Sequence, residues 1–459
     1  MIKREIFESL DKEVLIGLIL KMSARISELE RIIGLNSTNS SKPPSSDEIF
    51  KKPLTKSLRS KSGKKSGGQL GHKGSTLKQV VNPDIQITHM VNNCEHCGFD
   101  MKLVTGSKVR KRQVFDIPSP RAEVTEHISE TKECPNCVHV NKAKFSSDVV
   151  APVQYGSRIQ SIAMYMMYYQ FIPEDRLAIS FNDLYGININ TTTLNNISLK
   201  LYNGLAVYEE NTEAILANSK LLHFDETGIR VEKELNWLHS TSNKDAVIYK
   251  AHQKRGIEAM NTFYVHSSFT GIAVHDHWKP YLKMRANSHS LCNAHILREL
   301  VGVYENSDAV WAEEMEKFLY KAHNYVELYR TEGQLPENYL VMLNKEYDKI
   351  LEKAKCYYDG YRCIKKLGKP LCARLQDYKT EILRFMYNFE VPFTNNLAEQ
   401  DIRMCKVKYK ISGCFRSMKG LRIFCRIRGY IGTARKQSIN LFTAIEDAVS
   451  GRPFMLNST

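Results

Sequence analysis

Three acidic residues carry the clearest chemical signal in this chain: Asp225, Asp276 and Glu399. Asp225 ends the apolar run Leu221-Leu222-His223-Phe224, and Asp276 ends a second, Gly271-Ile272-Ala273-Val274-His275. Glu399 sits in Asn395-Asn396-Leu397-Ala398-Glu399, which reads as the first turn of a helix. Two strand-end carboxylates and a helical one can converge on one point and hold two divalent cations. In-line attack on a phosphodiester needs that arrangement. Each acid also has a plainer reading. Asp225 can cap the turn Asp225-Glu226-Thr227-Gly228, Asp276 can be an ordinary strand end beside Trp278, and Glu399 can close a capping-box-like turn with Asn396. Their joint occurrence, in the right order of elements and beside a basic flank, favours catalysis. Glu226 is the rival to Asp225, but a strand points adjacent side chains to opposite faces.

Cysteines supply a second chemistry. Cys94-Glu95-His96-Cys97 and Cys134-Pro135-Asn136-Cys137 are two knuckles whose four thiolates suit one structural, tetrahedral Zn²⁺. Between them, Gln113–Ile117 and Glu123–Ile128 alternate as strands do, the layout of a zinc ribbon. The chain has eleven cysteines, and the other seven are scattered singly, unlike a secreted disulfide framework. His289, Cys292 and His295 form a spaced set that either takes a metal or, on a helix, positions the core.

Several elements must position these groups. Leu221–Asp225, Asn236–Ser242 and Asp245–His252 read as an antiparallel meander, followed by a helix near Arg255–Tyr264 and the strand Ile272–Asp276. Three strands, a helix and a strand, with Asp ending the first and last, is a ribonuclease H-like order within an α/β fold. Residues 294–385 are strongly helical and read as an α-helical insertion before Glu399. Upstream, residues 156–204 read as three helices with a Gly-containing turn at Tyr185-Gly186, a helix-turn-helix-like bundle. Its last helix either reads DNA or simply packs.

The N-terminal segment 8–34 carries a short heptad seam of Leu15, Ile19, Met22, Ile26, Leu29 and Ile33. It serves self-association or docking, or packs on its own domain. A low-complexity linker follows over Asn36–Asp47, expected to be flexible. From Lys51 to Pro83 there is no acidic residue, so this stretch reads as a basic arm that tracks phosphates. The whole chain carries a net charge of +15, which speaks for a nucleic-acid or anionic-membrane partner. No apolar stretch reaches the roughly 20 residues of a membrane span, and Met1–Glu5 lacks the features of a signal peptide. A cytoplasmic, nucleoid-associated protein is the expectation.

Behind Glu399 a second acid-free run, Ile402–Ala444, carries Arg403, Lys406, Lys408, Lys410, Arg416, Lys419, Arg422, Arg426, Arg428, Arg435 and Lys436. Basic residues beside a metal site are where a DNA backbone passes.

These residues resemble a known family over nearly the full length of the chain. The motifs are Asn39–Asp47, Gly67-Gly68-Gln69-Leu70-Gly71-His72-Lys73-Gly74, the paired knuckles, Asp225-Glu226-Thr227, Asp276-His277-Trp278-Lys279-Pro280-Tyr281, Cys292-Asn293-Ala294-His295 and Asn395–Glu399. Together they resemble the DDE transposases of the bacterial insertion sequence sixty-six family. The resemblance implies DNA transposition at a DDE core with Mg²⁺, for which Mn²⁺ can substitute, and a zinc-binding domain. It makes Asp225, Asp276 and Glu399 the metal ligands. The implied partners are double-stranded transposon ends and target DNA, a second copy of the chain in a dimer or larger synaptic assembly, and accessory transposition proteins. Three positions depart from the family pattern: His277 replaces a usual Gly, Asn293 a usual aromatic and Gln400 a usual Arg. None removes a ligand, although Gln400 puts one expected phosphate contact in question.

The expected layout is an N-terminal helix (1–35), a basic linker (36–83), a zinc ribbon (84–150) and a helix-turn-helix-like domain (151–215). A catalytic domain (216–445) with its insertion at about 300–388 and a C-terminal tail (446–459) complete it. A nuclease of the same fold and a non-catalytic DNA-binding regulator are the competing readings.

Overall fold

The computed structural model describes residues 11–34, 71, 76–106, 110–118, 120–360 and 367–457. The Asn36–Asp47 linker and nearly all of the expected basic arm lie outside the described residues. The first helix, α1, spans Lys12–Gly34, and its Ile16, Ile19, Met22, Ile26 and Leu29 are exposed.

In the cysteine-rich region the only strands among the described residues are β1 (Thr131–Glu133) and β2 (Val140–Lys142), an antiparallel pair around the second knuckle. The strands expected at Gln113–Ile117 and Glu123–Ile128 are not formed. Alternation alone is insufficient there. Val114, Ile117 and Val124 stay exposed, with no apolar surface to bury one face against.

Three helices follow: α2 (Ser157–Tyr168), α3 (Glu174–Tyr185) and α4 (Thr191–Gly204). Gly186 ends α3 in the left-handed region that glycine adopts without a Cβ penalty. The Asn190 side chain caps α4 by accepting from the Thr193 N–H at 2.7 Å. Helix α5 (Ala206–Ala217) leads into the sheet.

Strands β3 (Leu221–Val231), β4 (Glu234–Ser242) and β5 (Val247–His252) form the antiparallel meander. Short helices α6 (Ile257–Thr262) and α7 (Tyr264–Ser268) connect it to β6 (Ile272–His275), and β7 is Ser288–Leu291. The five-stranded order is β5-β4-β3-β6-β7, with β6 parallel to both β3 and β7. The result is a mixed α/β architecture with a mixed sheet. Gly271 permits the β3–β6 pairing, because a Cβ there would lie 2.5 Å from the Lys220 carbonyl oxygen.

Helices α8 (Asn293–Glu305), α9 (Val310–Leu328), α10 (Glu337–Gly360), α11 (Lys369–Asp377) and α12 (Lys379–Tyr387) occupy the stretch read as an insertion. They enclose their own core around Trp311, Phe318, Tyr347 and Phe385. The chain then returns to the sheet as α13 (Asn396–Ser412), α14 (Met418–Lys436) and α15 (Leu441–Val449).

The sheet's two faces bury different partners, and that difference decides the site. Odd-numbered β3 residues such as Ile229 and Val231 share a core with α13, α14, α15 and the α2–α4 bundle. Even-numbered Leu222 and Phe224 pack instead with Met260, Val265, Phe269 and Tyr281. Among the described residues no helix is long and apolar enough to cross a membrane.

Candidate active site

Sheet register brings the first two acids together. β3 and β6 pair in parallel with His223 opposite Val274. Two residues further along each strand direction come Asp225 and Asp276, on the same face as that pair. Neighbouring strands are about 4.7–4.9 Å apart, so the two carboxylates leave the sheet side by side. The Asp276 carboxylate accepts the Trp278 N–H at 2.9 Å, and Asp225 accepts the Glu226 N–H at 2.9 Å.

Glu399 arrives from the other side of the chain, and one residue controls where it lands. Asn395, 3% exposed, precedes α13 and reaches three elements. Its Nδ2 donates to the Phe224 carbonyl oxygen at 2.8 Å, immediately before Asp225. Its Oδ1 accepts from His223 Nδ1 at 2.8 Å, and its backbone N–H donates to Cys292 Sγ at 3.1 Å. The first turn of α13, which carries Glu399, is thereby pinned to β3 and to the start of α8. Asn395 stood in the sequence only as part of a motif. Its hub position had no local signal.

The electrostatics fit a site that waits for cations. Burial, then the charges of Glu226, Asp276 and Glu399, hold the Asp225 carboxyl well above the usual carboxylate range. Burial acts in the same direction on Glu399, yet His295, Arg298 and Lys406 outweigh it and leave that carboxyl below its ordinary value. Asp225, with mutually repelling carboxylates around it, is a donor set that hard divalent cations satisfy. The charges of Asp276 and Glu399 reach Asp225, although the carboxylate oxygens of the three acids do not all lie within 4.8 Å of one another.

Glu226 points away, to the opposite face of β3. It is bound by Arg255 at 2.8 and 2.5 Å and by the Tyr281 hydroxyl. The Arg255 guanidinium is sandwiched between Trp237 and Trp278, 4.8 and 4.2 Å from the ring centroids. This cluster ties β3 to the loop that follows Asp276. Tyr281 was visible in the motif Asp276–Tyr281, whereas nothing near Arg255 in the sequence announces its part.

His289, Cys292 and His295 do not share one helix. His289 lies on β7 and meets His275 at 2.9 Å. Cys292 is the N-cap of α8 and His295 lies in its first turn, where His295 Nε2 is 3.3 Å from Glu399 Oε1. Cys292, His295 and Glu399 place their ligand atoms within 4.8 Å of one another.

The basic run behind Glu399 divides in two. Arg403, Lys406 and Lys410 follow Glu399 at spacings of four, seven and eleven, one face of α13. Arg403, Lys410 and Arg416 are exposed and Lys406 is half-buried. Lys408 lies on another face and donates to the Ser412 hydroxyl at 2.8 Å. Further along, Arg426 binds Glu209 at 2.8 Å and stacks on Tyr202, while Arg428 is buried against Tyr169 and Phe171. Those two, with Lys436 paired to Asp401 at 2.9 Å, are internal ties and leave the expected contact surface, whereas Lys419, Arg422 and Arg435 stay exposed. Gln400 is exposed.

In each zinc knuckle the first cysteine is prepared for an ion. Backbone N–H groups of Cys97 and His96 lower the Cys94 thiol, and those of Asn136 and Cys137 lower Cys134. Four thiols on two such turns suit Zn²⁺. The two knuckles are not gathered within one ligand shell, since the four sulfurs do not form a close group.

Comparison with known families agrees with these features. The model described as zinc-finger binding domain of transposase IS66 matches residues 92–138. A family of unknown function matches residues 4–78. No curated protein matches the chain. The model of the Transposase IS66 family matches residues 152–423, more than half of the chain and all three acids of the site. The chain belongs to the IS66 transposase family.

Proposed function

We propose that this protein is an active DNA transposase that binds the ends of its insertion sequence and catalyses metal-dependent cleavage and strand transfer. The reading is supported by the parallel β3–β6 register beside Asp225 and Asp276, by the Asn395 contacts that hold the start of α13, and by the charges of Asp276 and Glu399 acting on Asp225. The strand order β5-β4-β3-β6-β7 supports a ribonuclease H-like core with α8–α12 as its helical insertion.

Asp225, Asp276 and Glu399 would hold two Mg²⁺. When bound, such ions stabilise the attacking and leaving oxygens of an in-line displacement. The chain's own contribution is to fix the three carboxylates. Arg255 and Tyr281 keep Glu226 engaged on the far face, so the loop after Asp276 is held against β3. Arg403, Lys406 and Lys410, in line with Glu399 along α13, present charge to the DNA backbone, with Lys408 and Arg416 at the margin. The bundle α2–α4 is the candidate helix-turn-helix for end recognition, and its α4 leaves Thr192, Asn195, Asn196 and Lys200 exposed or half-exposed. Cys94, Cys97, Cys134 and Cys137 would hold a structural Zn²⁺ once the two knuckles close on it. Synapsis of two ends calls for at least a dimer.

The test is strand transfer of a labelled, pre-cut transposon end into plasmid DNA with Mg²⁺, wild type against Glu399→Gln. Joined product from wild type alone is expected. Joined product from both would remove Glu399 from the chemistry. Binding of ends without joining by either protein would replace this reading with that of a DNA-binding regulator.

A further inference from the structure

Beside the three-acid site lies a second set of donors with a different chemical taste. Cys292, His295 and Glu399 offer one sulfur, one nitrogen and one oxygen within 4.8 Å of one another. Mg²⁺ takes oxygen ligands and has no use for such a set, whereas Zn²⁺ and its relatives bind all three donor types. We propose that Cys292, His295 and Glu399 form a site for a thiophilic divalent cation of the Zn²⁺ class, distinct from the ribbon and overlapping the three-acid site at Glu399.

The spacing supports it. Two nitrogen or oxygen ligands of one tetrahedral ion, each about 2.0–2.1 Å from it, lie roughly 3.3 Å apart. His295 Nε2 and Glu399 Oε1 are 3.3 Å apart, long for a charge-assisted hydrogen bond and suited to two ligands of one ion. The elements also suit the sulfur. Cys292 caps the N-terminus of α8 and receives the Asn395 N–H at 3.1 Å, and both features favour a thiolate. Burial and then the charge of Glu399 push the free thiol up to about 12, so it gives up its proton only as the ion binds. Cys292 is buried while His295 and Glu399 are partly exposed, so the fourth position faces the solvent side. Two charges oppose the ion: Lys406 acts on Glu399, and Arg298 Nη2 lies 3.9 Å from the same Glu399 oxygen. The ion would replace Arg298 as the nearest cation to that oxygen.

The consequence rests on the role proposed for Glu399. An ion held by Cys292 and His295 draws that carboxylate away from the Mg²⁺ pair, so Zn²⁺ would act as a reversible inhibitor of strand transfer.

Binding can be read without any activity. Full-length protein with its ribbon already filled with Zn²⁺ is titrated with Co²⁺, whose thiolate charge-transfer and tetrahedral d–d absorption report one-sulfur coordination. One further Co²⁺ per chain is expected. It should be lost in Cys292→Ser and in His295→Gln, and retained in Asp225→Asn. His295 is partly exposed, so His295→Gln keeps the test sound if Cys292→Ser does not fold. Absence of a further thiolate band in wild type, or its persistence in His295→Gln, overturns the proposal and leaves His295 as a hydrogen-bond partner of Glu399. Strand transfer with Mg²⁺ alone, run in parallel, tests the transposase reading separately. Where that activity is present, added Zn²⁺ should abolish it and a chelator should restore it.

Discussion

Asn395 and Asn396 are identical neighbours in the sequence, and the structure predicts opposite fates for their alanine variants. The Asn395 side chain makes two hydrogen bonds, to the Phe224 carbonyl oxygen and to His223 Nδ1, both at 2.8 Å. Phe224 is 0% exposed and His223 is 6% exposed, so neither group can turn to bulk water when the amide is removed. Stranding a buried polar group costs about 1–3 kcal/mol. Two such groups, with a water admitted to the small cavity, give an expected loss of about 2–4 kcal/mol for Asn395→Ala. Asn396 is exposed, and Asn396→Ala should stay within about 0.5 kcal/mol of wild type. Equilibrium unfolding in urea of the metal-free proteins measures both. The backbone N–H of residue 395 still reaches Cys292 in the variant, so α13 should loosen rather than detach. Hydrogen-bonded groups that orient a metal ligand typically contribute about 10–100-fold in affinity. The Mg²⁺ concentration for half-maximal strand transfer by Asn395→Ala should therefore rise on the order of tenfold. A stability change as small as that of Asn396→Ala would refute the assignment of Asn395 as the anchor of the site.

Three further outcomes follow from other contacts. Arg255→Met leaves Glu226 buried without its countercharge and should cost about 2–3 kcal/mol, at the low end for a buried pair because Arg255 is partly exposed. Adding Glu226→Gln should recover most of that loss, and a double variant no more stable than the single one would contradict the pairing. Burial, with His239 adding to it, lowers the His266 imidazole to about 3, and burial lowers His239 to about 4. Both are neutral in the fold and charge when it opens. Their stabilisation is therefore complete above pH of about 6.5 and is lost as pH falls toward those values. His266→Phe should flatten that acid slope by about one proton, near 1.4 kcal/mol per pH unit, in unfolding measured across pH 4–6.5. An unchanged slope would mean that His266 takes up its proton in the native state. For DNA affinity against salt concentration, Arg403→Ala and Lys406→Ala should each reduce the slope by about 1. Arg426→Ala should lower stability and leave the slope alone, and the reverse pattern would move the DNA path.

The sequence by itself determined the local features of this protein. The strand that leads into Asp276, the helical turn around Glu399, the three helices over residues 157–204 and the paired knuckles are written in short-range periodicity and turn chemistry. Such signals act over a few residues and survive without knowledge of the partner. Asp225, read as a strand end, lies instead inside β3, which runs on to Val231 because β4 pairs with it along that length. Alternation at Gln113–Ile117 was equally local and failed, because no surface came to cover it. Only the tertiary structure decided what meets what. Asn395 bonds to His223 and Phe224 from 172 and 171 positions away, and Glu226 takes Arg255 and Tyr281 from the far face of the sheet. It also sent Arg426 and Arg428 inward while Arg403 stayed exposed on the same basic run. Charge is visible in a residue's name. Whether that charge meets solvent, a carboxylate or a ring is set by the packing of distant elements around one core.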